Sequence, residues 1–260
     1  MIVAGYLFAV VAGSVLGMLG AGGSIMTVPL LVYFFSLTPI LATTYSLLVV
    51  GLTAVAGAAF YWKLNLIDWK IVLKFAVPSA AAVLVVRHFV WPAIPLDLPF
   101  LGITKNTFVM IALALVMGGS AWRMFKTAAA KPAERRIRIV IPVALAAGTV
   151  TGLLGAGAGF IIVPSLHLVL NLPMRETVAT SLVVIAINSL FGFSLDMFRG
   201  AYIDWSFAAA FLACTFLGVF LGNKFGKSVP ELKLKRSFGL FVMITALLIV
   251  AHELRSLYGN

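Results

Sequence analysis

"GMLGAGGSIMTVPLL" runs from Gly17 to Leu31, and "GLLGAGAGFIIVPSL" runs from Gly152 to Leu166. Each block packs small residues around a short gap and places a proline nine residues after its first tip glycine: Pro29 follows Gly20 and Pro164 follows Gly155. The repeat extends outward from the glycines. At an offset of 135, Ser46, Leu47 and Gly57 return as Ser181, Leu182 and Gly192, and at nearly the same offset "IDW" (67–69) returns at 203–205 and "FVMI" (108–111) at 241–244. The chain therefore reads as two copies of one unit, 1–125 and 139–260, joined by a polar, proline-containing basic stretch from 126 to 138.

The solvent for this chain is lipid. With 62% apolar and 10% charged residues, and a mean hydropathy of +1.12, it has too few polar residues to cover a water-soluble globule of 260 residues. The net charge of +11 does not point to nucleic acid, because the basic residues sit at the ends of apolar runs rather than in one solvated stripe. A single cysteine, Cys214, excludes an intrachain disulfide and a cysteine-only metal cage. No cofactor or metal is called for.

Apolar runs fall at about 2–19, 24–36, 42–62, 70–91, 106–122, 138–154, 160–171, 177–198, 205–223 and 237–251. A helix needs roughly 20 residues to span the hydrocarbon, so the runs flanking the two glycine blocks are short and come as consecutive pairs. All five tryptophans lie near run ends, where amphipathic rings sit at the membrane interface. The N-terminal run has no basic leader and an internal counterpart at 138–154, so it reads as part of the fold.

The basic residues choose between two topologies, because positive charge accumulates on the cytoplasmic side. If each short pair is a hairpin that enters and leaves on one face, each copy crosses three times and the second copy is inverted. The inverted arrangement leaves only Arg87, Lys105, Arg199 and Arg255 on the side opposite the linker. Parallel copies divide the charge almost evenly. The expected fold is thus an all-α polytopic membrane protein of two inverted repeats, each a glycine-containing broken-helix hairpin plus three transmembrane helices.

A turn inside the bilayer exposes backbone groups that lipid cannot satisfy, so it persists only against protein or a wet cavity. Inverted copies would bring two such turns in from opposite faces to meet near the midplane. Each would present free N–H groups and the positive end of a helix dipole, an anion site without a buried lysine. Discontinuous helices at a repeat interface are the plan of many secondary transporters.

The duplicated "GAGG…VP" and "GAGAG…VP" blocks, in two similar halves of a 260-residue chain, resemble the TauE/SafE family of sulfite exporters. The resemblance covers essentially the whole chain. It implies movement of sulfite, or an organosulfonate such as sulfoacetate or sulfolactate, across a cell (inner) membrane by a multi-pass protein. Ala158 interrupts the glycine run of the second block, so the two tips are expected to contribute unequally.

The expected substrate-binding residues are Gly20, Ala21, Gly22, Gly23 and Ser24 on the first tip, Gly155, Ala156, Gly157, Ala158 and Gly159 on the second, and Ser46, Ser181 and Asn188 on the helices that follow. The serine hydroxyls either coordinate substrate oxygens or pack between helices. Asn188 either meets substrate or bonds a neighbouring helix. His167 lies deep in an apolar run, as a proton-coupling group or as a neutral imidazole bonded to the fold. Asp196 and Arg199, three apart, are expected to pair with each other. Asp68 and Asp204 read as helix caps beside interfacial tryptophans. Arg175 and Glu176, at the mouth of the second hairpin, either guide anions or snorkel. The partners expected are a small anionic substrate, the lipid bilayer and, compatibly with both, further copies of the chain. Two alternatives stand beside sulfur-oxyanion transport: a permease for another small anion such as a carboxylate, and an intramembrane hydrolase pairing Ser24 with His167.

Overall fold

The computed structural model describes residues 2–19, 23–98, 103–126, 139–155, 159–169, 172–225 and 231–258. In the first copy they form α1 (Ile2–Leu19), α2 (Ser24–Phe35), α3 (Pro39–Trp62), α4 (Trp69–Val85), a π-helical turn (Val86–Val90), one turn of α5 (Trp91–Ala93) and α6 (Lys105–Lys126). In the second they form α7 (Val140–Leu154), α8 (Gly159–Val169), α9 (Met174–Phe198), α10 (Trp205–Phe225) and α11 (Glu231–Tyr258). The exception to an all-α fold is a two-residue antiparallel ribbon, Asp97–Leu98 with Ile103–Thr104, in the connection before α6. The linker 126–138 lies outside the described residues except for Lys126.

The described helices meet the expectation for a membrane. Pro39–Trp62, Trp69–Ala93, Lys105–Trp122, Arg175–Phe198 and Trp205–Lys224 are long and apolar enough to cross. Ile2–Met18, Ser24–Phe35 and Val140–Leu154 are apolar but shorter, as hairpin arms should be. Side chains such as Leu115, Leu217, Phe220 and Leu247 point outward, an apolar exterior that only lipid would cover. The helix α3 is buried over 72% of its apolar stretch and α9 over 61%, against 33% for α10, so the two equivalent helices form the centre.

These two central helices run antiparallel, and their contacts are reciprocal. Gly57 packs on Leu182 and Gly192 on Leu47, at closest Cβ approaches of 3.1 and 3.2 Å. Since Gly57 and Gly192 are sequence equivalents, as are Leu47 and Leu182, each contact is the other with the copies exchanged. Both pairs sit five residues either side of Leu52 and Ile187, where the relating axis passes. The caps follow the same exchange. The Asp68 N–H donates to Thr180 Oγ1 (3.2 Å) and the Asp204 N–H to Tyr45 Oη (2.7 Å), with Tyr45 and Thr180 equivalent positions.

Each hairpin packs against the fourth helix of the other copy: α1 on α10 and α7 on α4. Small residues four apart allow this. Gly13 and Gly17 of α1 lie against the backbone of Thr215 and Val219, Gly218 and Gly222 of α10 lie against Val10 and Ser14, and Gly148 and Gly152 of α7 face Ser79, Ala82 and Val86. The buried side chains accordingly fall into two clusters that mix the copies. In one, α1, α2, α6, α10 and α11, with Leu154 of α7, meet one side of α3; in the other, α4, α7, α8 and α9, with Leu16 of α1 and Val219 of α10, meet the opposite side.

Asp68 and Asp204 cap α4 and α10 as expected. Asp68 Oδ1 accepts from the N–H groups of Lys70 and Ile71 (3.0 and 3.1 Å), and Asp204 Oδ1 from those of Ser206 and Phe207 (2.9 and 3.1 Å). Alanine at either position is expected to lower stability by about 1 kcal/mol, read as a small drop in melting temperature of the detergent-solubilised protein. Unchanged melting in both variants would mean that the caps do not hold these helix starts.

Candidate substrate site

At the second tip, α7 ends in Gly155, whose φ of 64° is the left-handed conformation in which glycine closes helices. Its N–H bonds the Thr151 carbonyl at 2.9 Å, and its Cα is pressed onto Thr43 of α3. Ala156, Gly157 and Ala158 lie outside the described residues, as do Gly20, Ala21 and Gly22 of the first tip. Gly159 is buried and opens α8.

At the first tip, Gly23 packs on the Ala12 carbonyl, and its own carbonyl accepts from Met26 N (3.3 Å) and Thr27 Oγ1 (3.4 Å). Ser24, fully buried, is the first helical residue; the cap position falls on Gly23. The first eight residues of α2 are all buried, and α2 touches α8. The second arms of the two hairpins thus meet inside the protein.

Antiparallel packing separates the two repeat-equivalent serines. Ser46 lies six residues from Leu52 toward one end of the pair and Ser181 six residues from Ile187 toward the other, roughly 18 Å apart along the helices. One small oxyanion cannot touch both. Ser181 Oγ donates to the Val178 carbonyl (2.9 Å), whereas Ser46 Oγ is buried and has no partner among the described residues. Asn188 is one residue from the axis. Its Oδ1 accepts from Ser79 Oγ of α4 at 3.0 Å, an interhelical bond, while its Nδ2 is buried and unpartnered among the described residues.

His167 is half-buried, with Nδ1 2.9 Å from the Leu172 carbonyl, so an Nδ1–H imidazole is held by its own hairpin's exit loop. It stands eight residues from Gly159, about 12 Å along α8 from the tip. Among the described residues no group of three His, Cys, Asp or Glu side chains could hold a metal ion.

One expectation is overturned. Asp196 does not pair with Arg199: its Oδ2 accepts from Arg87 Nη1 at 2.7 Å and from Thr44 Oγ1 at 2.8 Å, all of it buried. Arg199 instead donates to the carbonyls of Arg87 and His88. The local cause is Pro92, which has no N–H to offer the carbonyls one turn before it. Trp91 departs from the other four tryptophans: it is buried, with Arg87 5.0 Å and Lys105 4.5 Å from its ring centre. Lys105 Nζ also donates to the carbonyls of Trp91 and Ile94. Sequence reasoning gave Arg87 no site role, although an arginine separated from Lys74, the last lysine of the 70–91 apolar run, only by apolar residues, Pro78 and Ser79 was its signal.

The architecture defines a polytopic helical membrane protein. The family model described as "Sulfite exporter TauE/SafE" matches residues 6–249, and the chain belongs to that family. It is similar to the probable membrane transporter protein YunE of Bacillus subtilis (strain 168), 25% identical over 92% of each chain. It is also similar to a probable membrane transporter protein of Xylella fastidiosa (strain 9a5c), 27% identical over 94% of this chain and 93% of that one. A third relative, the probable membrane transporter protein YdhB of B. subtilis, is 26% identical over 92% and 96%. No solved structure matches. The protein is a multi-pass cell-membrane protein of a transporter family.

Proposed function

We propose that the protein is a secondary transporter for sulfite or another small sulfur oxyanion, with the ion held where the two hairpins meet. The observation that carries this reading is the contact of α2 with α8 beside an antiparallel α3–α9 pair. Equivalent helices packed head to tail are what inverted copies require, so 1–125 and 139–260 are inverted repeats and 126–138 is a cytoplasmic basic linker. The helix start of α2, fully buried, supplies N–H groups and the positive dipole end inside protein rather than lipid. Alternating access then follows from helices on the two sides of α3 shifting against each other. Transport rather than catalysis is supported by the family and by the separation of His167 from its tip.

Uptake into proteoliposomes tests this, with sulfite, sulfate, thiosulfate, a small sulfonate and a carboxylate compared with and without a pH gradient. Selective movement of a sulfur oxyanion is the expected result; dependence on the gradient would assign proton coupling to His167. Ser24→Ala should weaken uptake only several-fold, because backbone N–H groups remain. Carboxylate movement alone would replace the substrate class, and a hydrolytic activity lost completely in Ser24→Ala would replace transport by catalysis.

A further inference from the structure

The Arg87 cluster stands at the seat of the second hairpin. Gly152 of α7 packs on Val86, the neighbour of Arg87, and Gly155 packs on Thr43, the neighbour of the Thr44 that bonds Asp196. The end of α7 that carries the glycine block therefore packs beside a buried ion pair, on residues adjacent in sequence to Arg87 and to Thr44. That pair ties the π-helical turn after α4 to α9 of the second copy.

Its chemistry is unbalanced. Arg87 is 1% exposed, and of its guanidinium only Nη1 is engaged; Nε and Nη2 are buried without partners among the described residues. A desolvated guanidinium with two idle donors is costly unless something uses them. Charge is in excess too. Arg87 is bonded to Asp196, while Lys105 shares the Trp91 ring with Arg87 and Arg199 bonds the Arg87 carbonyl, so three cations cluster where, among the described residues, Asp196 is the carboxylate bonded to them.

The fold itself does not demand an ion pair there. By the internal repeat, the counterparts of Arg87 and Asp196 at the opposite end are Asn223 and Tyr61. Tyr61 Oη donates to the Gly17 carbonyl at 3.5 Å, and Asn223 borders a roughly 500 Å³ groove between α3 and α10. The two equivalent positions there are neutral, so the charged pair is not repeated at that end.

We propose that Arg87 is an oxyanion-binding residue beside the glycine-bearing end of α7, and that Asp196 is the built-in anion that holds its guanidinium in place. This rests on the oxyanion-transport reading. An incoming oxyanion takes the idle Nε and Nη2 as a bidentate acceptor, the geometry in which guanidinium binds tetrahedral and pyramidal oxyanions best. The positive charge of Lys105 and Arg199 favours it. Because Asp196 keeps Nη1, the bound oxyanion meets it as a like charge, which opposes binding and weakens the tie between Asp196 and Arg87, so occupancy of the site and loosening of that end are coupled. The ligand class is a small oxyanion; sulfite and sulfate are the probes.

The test uses the purified full-length chain, with sulfite and sulfate affinity read from tryptophan fluorescence, to which Trp91 reports, and with uptake in proteoliposomes. Removing the opposing carboxylate and removing the receptor should act in opposite directions. Asp196→Asn is expected to bind sulfite about tenfold more tightly and Arg87→Gln at least about tenfold more weakly, with Arg87→Lys between wild type and Gln because it lacks the fork. Sulfite should also raise the melting temperature of Asp196→Asn more than that of wild type. The double variant Arg87→Gln/Asp196→Asn, which removes both charges of the pair, keeps the comparison available if either single variant folds poorly. It should bind as weakly as Arg87→Gln. Affinities unchanged, or lowered alike in both single variants, would reduce the pair to a structural tie and overturn the assignment while wild-type transport stood. Arg87-dependent binding without transport would uphold the assignment and overturn the transport reading; a wild type that binds no probe would overturn both.

Discussion

Leucine at Gly155 is expected to abolish uptake and to destabilise the protein by roughly 2–5 kcal/mol, from left-handed backbone strain together with overpacking. The backbone there has φ 64°, and a Cβ would stand 2.5 Å from Thr43 Cβ and 2.6 Å from its carbonyl oxygen. Because Thr43 is helix backbone within the core of α3, the neighbour has nowhere to go. Displacing the tip would separate α7 from both Val86 and Thr43. Gly118→Ala and Gly119→Ala are the internal controls: a Cβ at either meets nothing within 4 Å, so neither should lower melting temperature or uptake. A Gly155→Leu protein that melts and transports like those controls would refute the seating of the second hairpin on α3.

Arg87→Met is expected to cost about 3–5 kcal/mol, because it leaves Asp196 as an unpaired buried charge with only Thr44 as donor. Arg87→Met combined with Asp196→Leu should recover most of that loss, since apolar groups of similar size can replace a buried pair nearly neutrally. The readout is melting temperature in detergent across the four proteins. A single variant as stable as wild type would mean that Arg87 reaches water, contrary to its burial.

Much of the fold was legible in the sequence, for identifiable reasons. The sequence located five long apolar helices, the shorter helices beside the glycine blocks and the caps at Asp68 and Asp204, because apolar run length and a carboxylate at a helix start are local signals. The glycines were only half read. Gly17 and Gly152 belong to helix-packing pairs with Gly13 and Gly148, four residues earlier, and not to the turns themselves. That spacing was visible, but attention to the tips concealed it.

The site was harder to read because its partners are distant in sequence. Arg87 is 109 residues from Asp196, and a local reading chose Arg199, three residues away, instead. Equivalence was also mistaken for convergence. In antiparallel helices matching residues approach each other only near the crossing, so Ser46 and Ser181 are sent to opposite ends.

The reciprocal contacts of α3 and α9 have a consequence for how such a chain is made. A surface that fits its own rotated image is the surface of a two-fold homodimer; here both partners are encoded in tandem. Because both faces are carried on one chain, their pairing is intramolecular and does not depend on concentration.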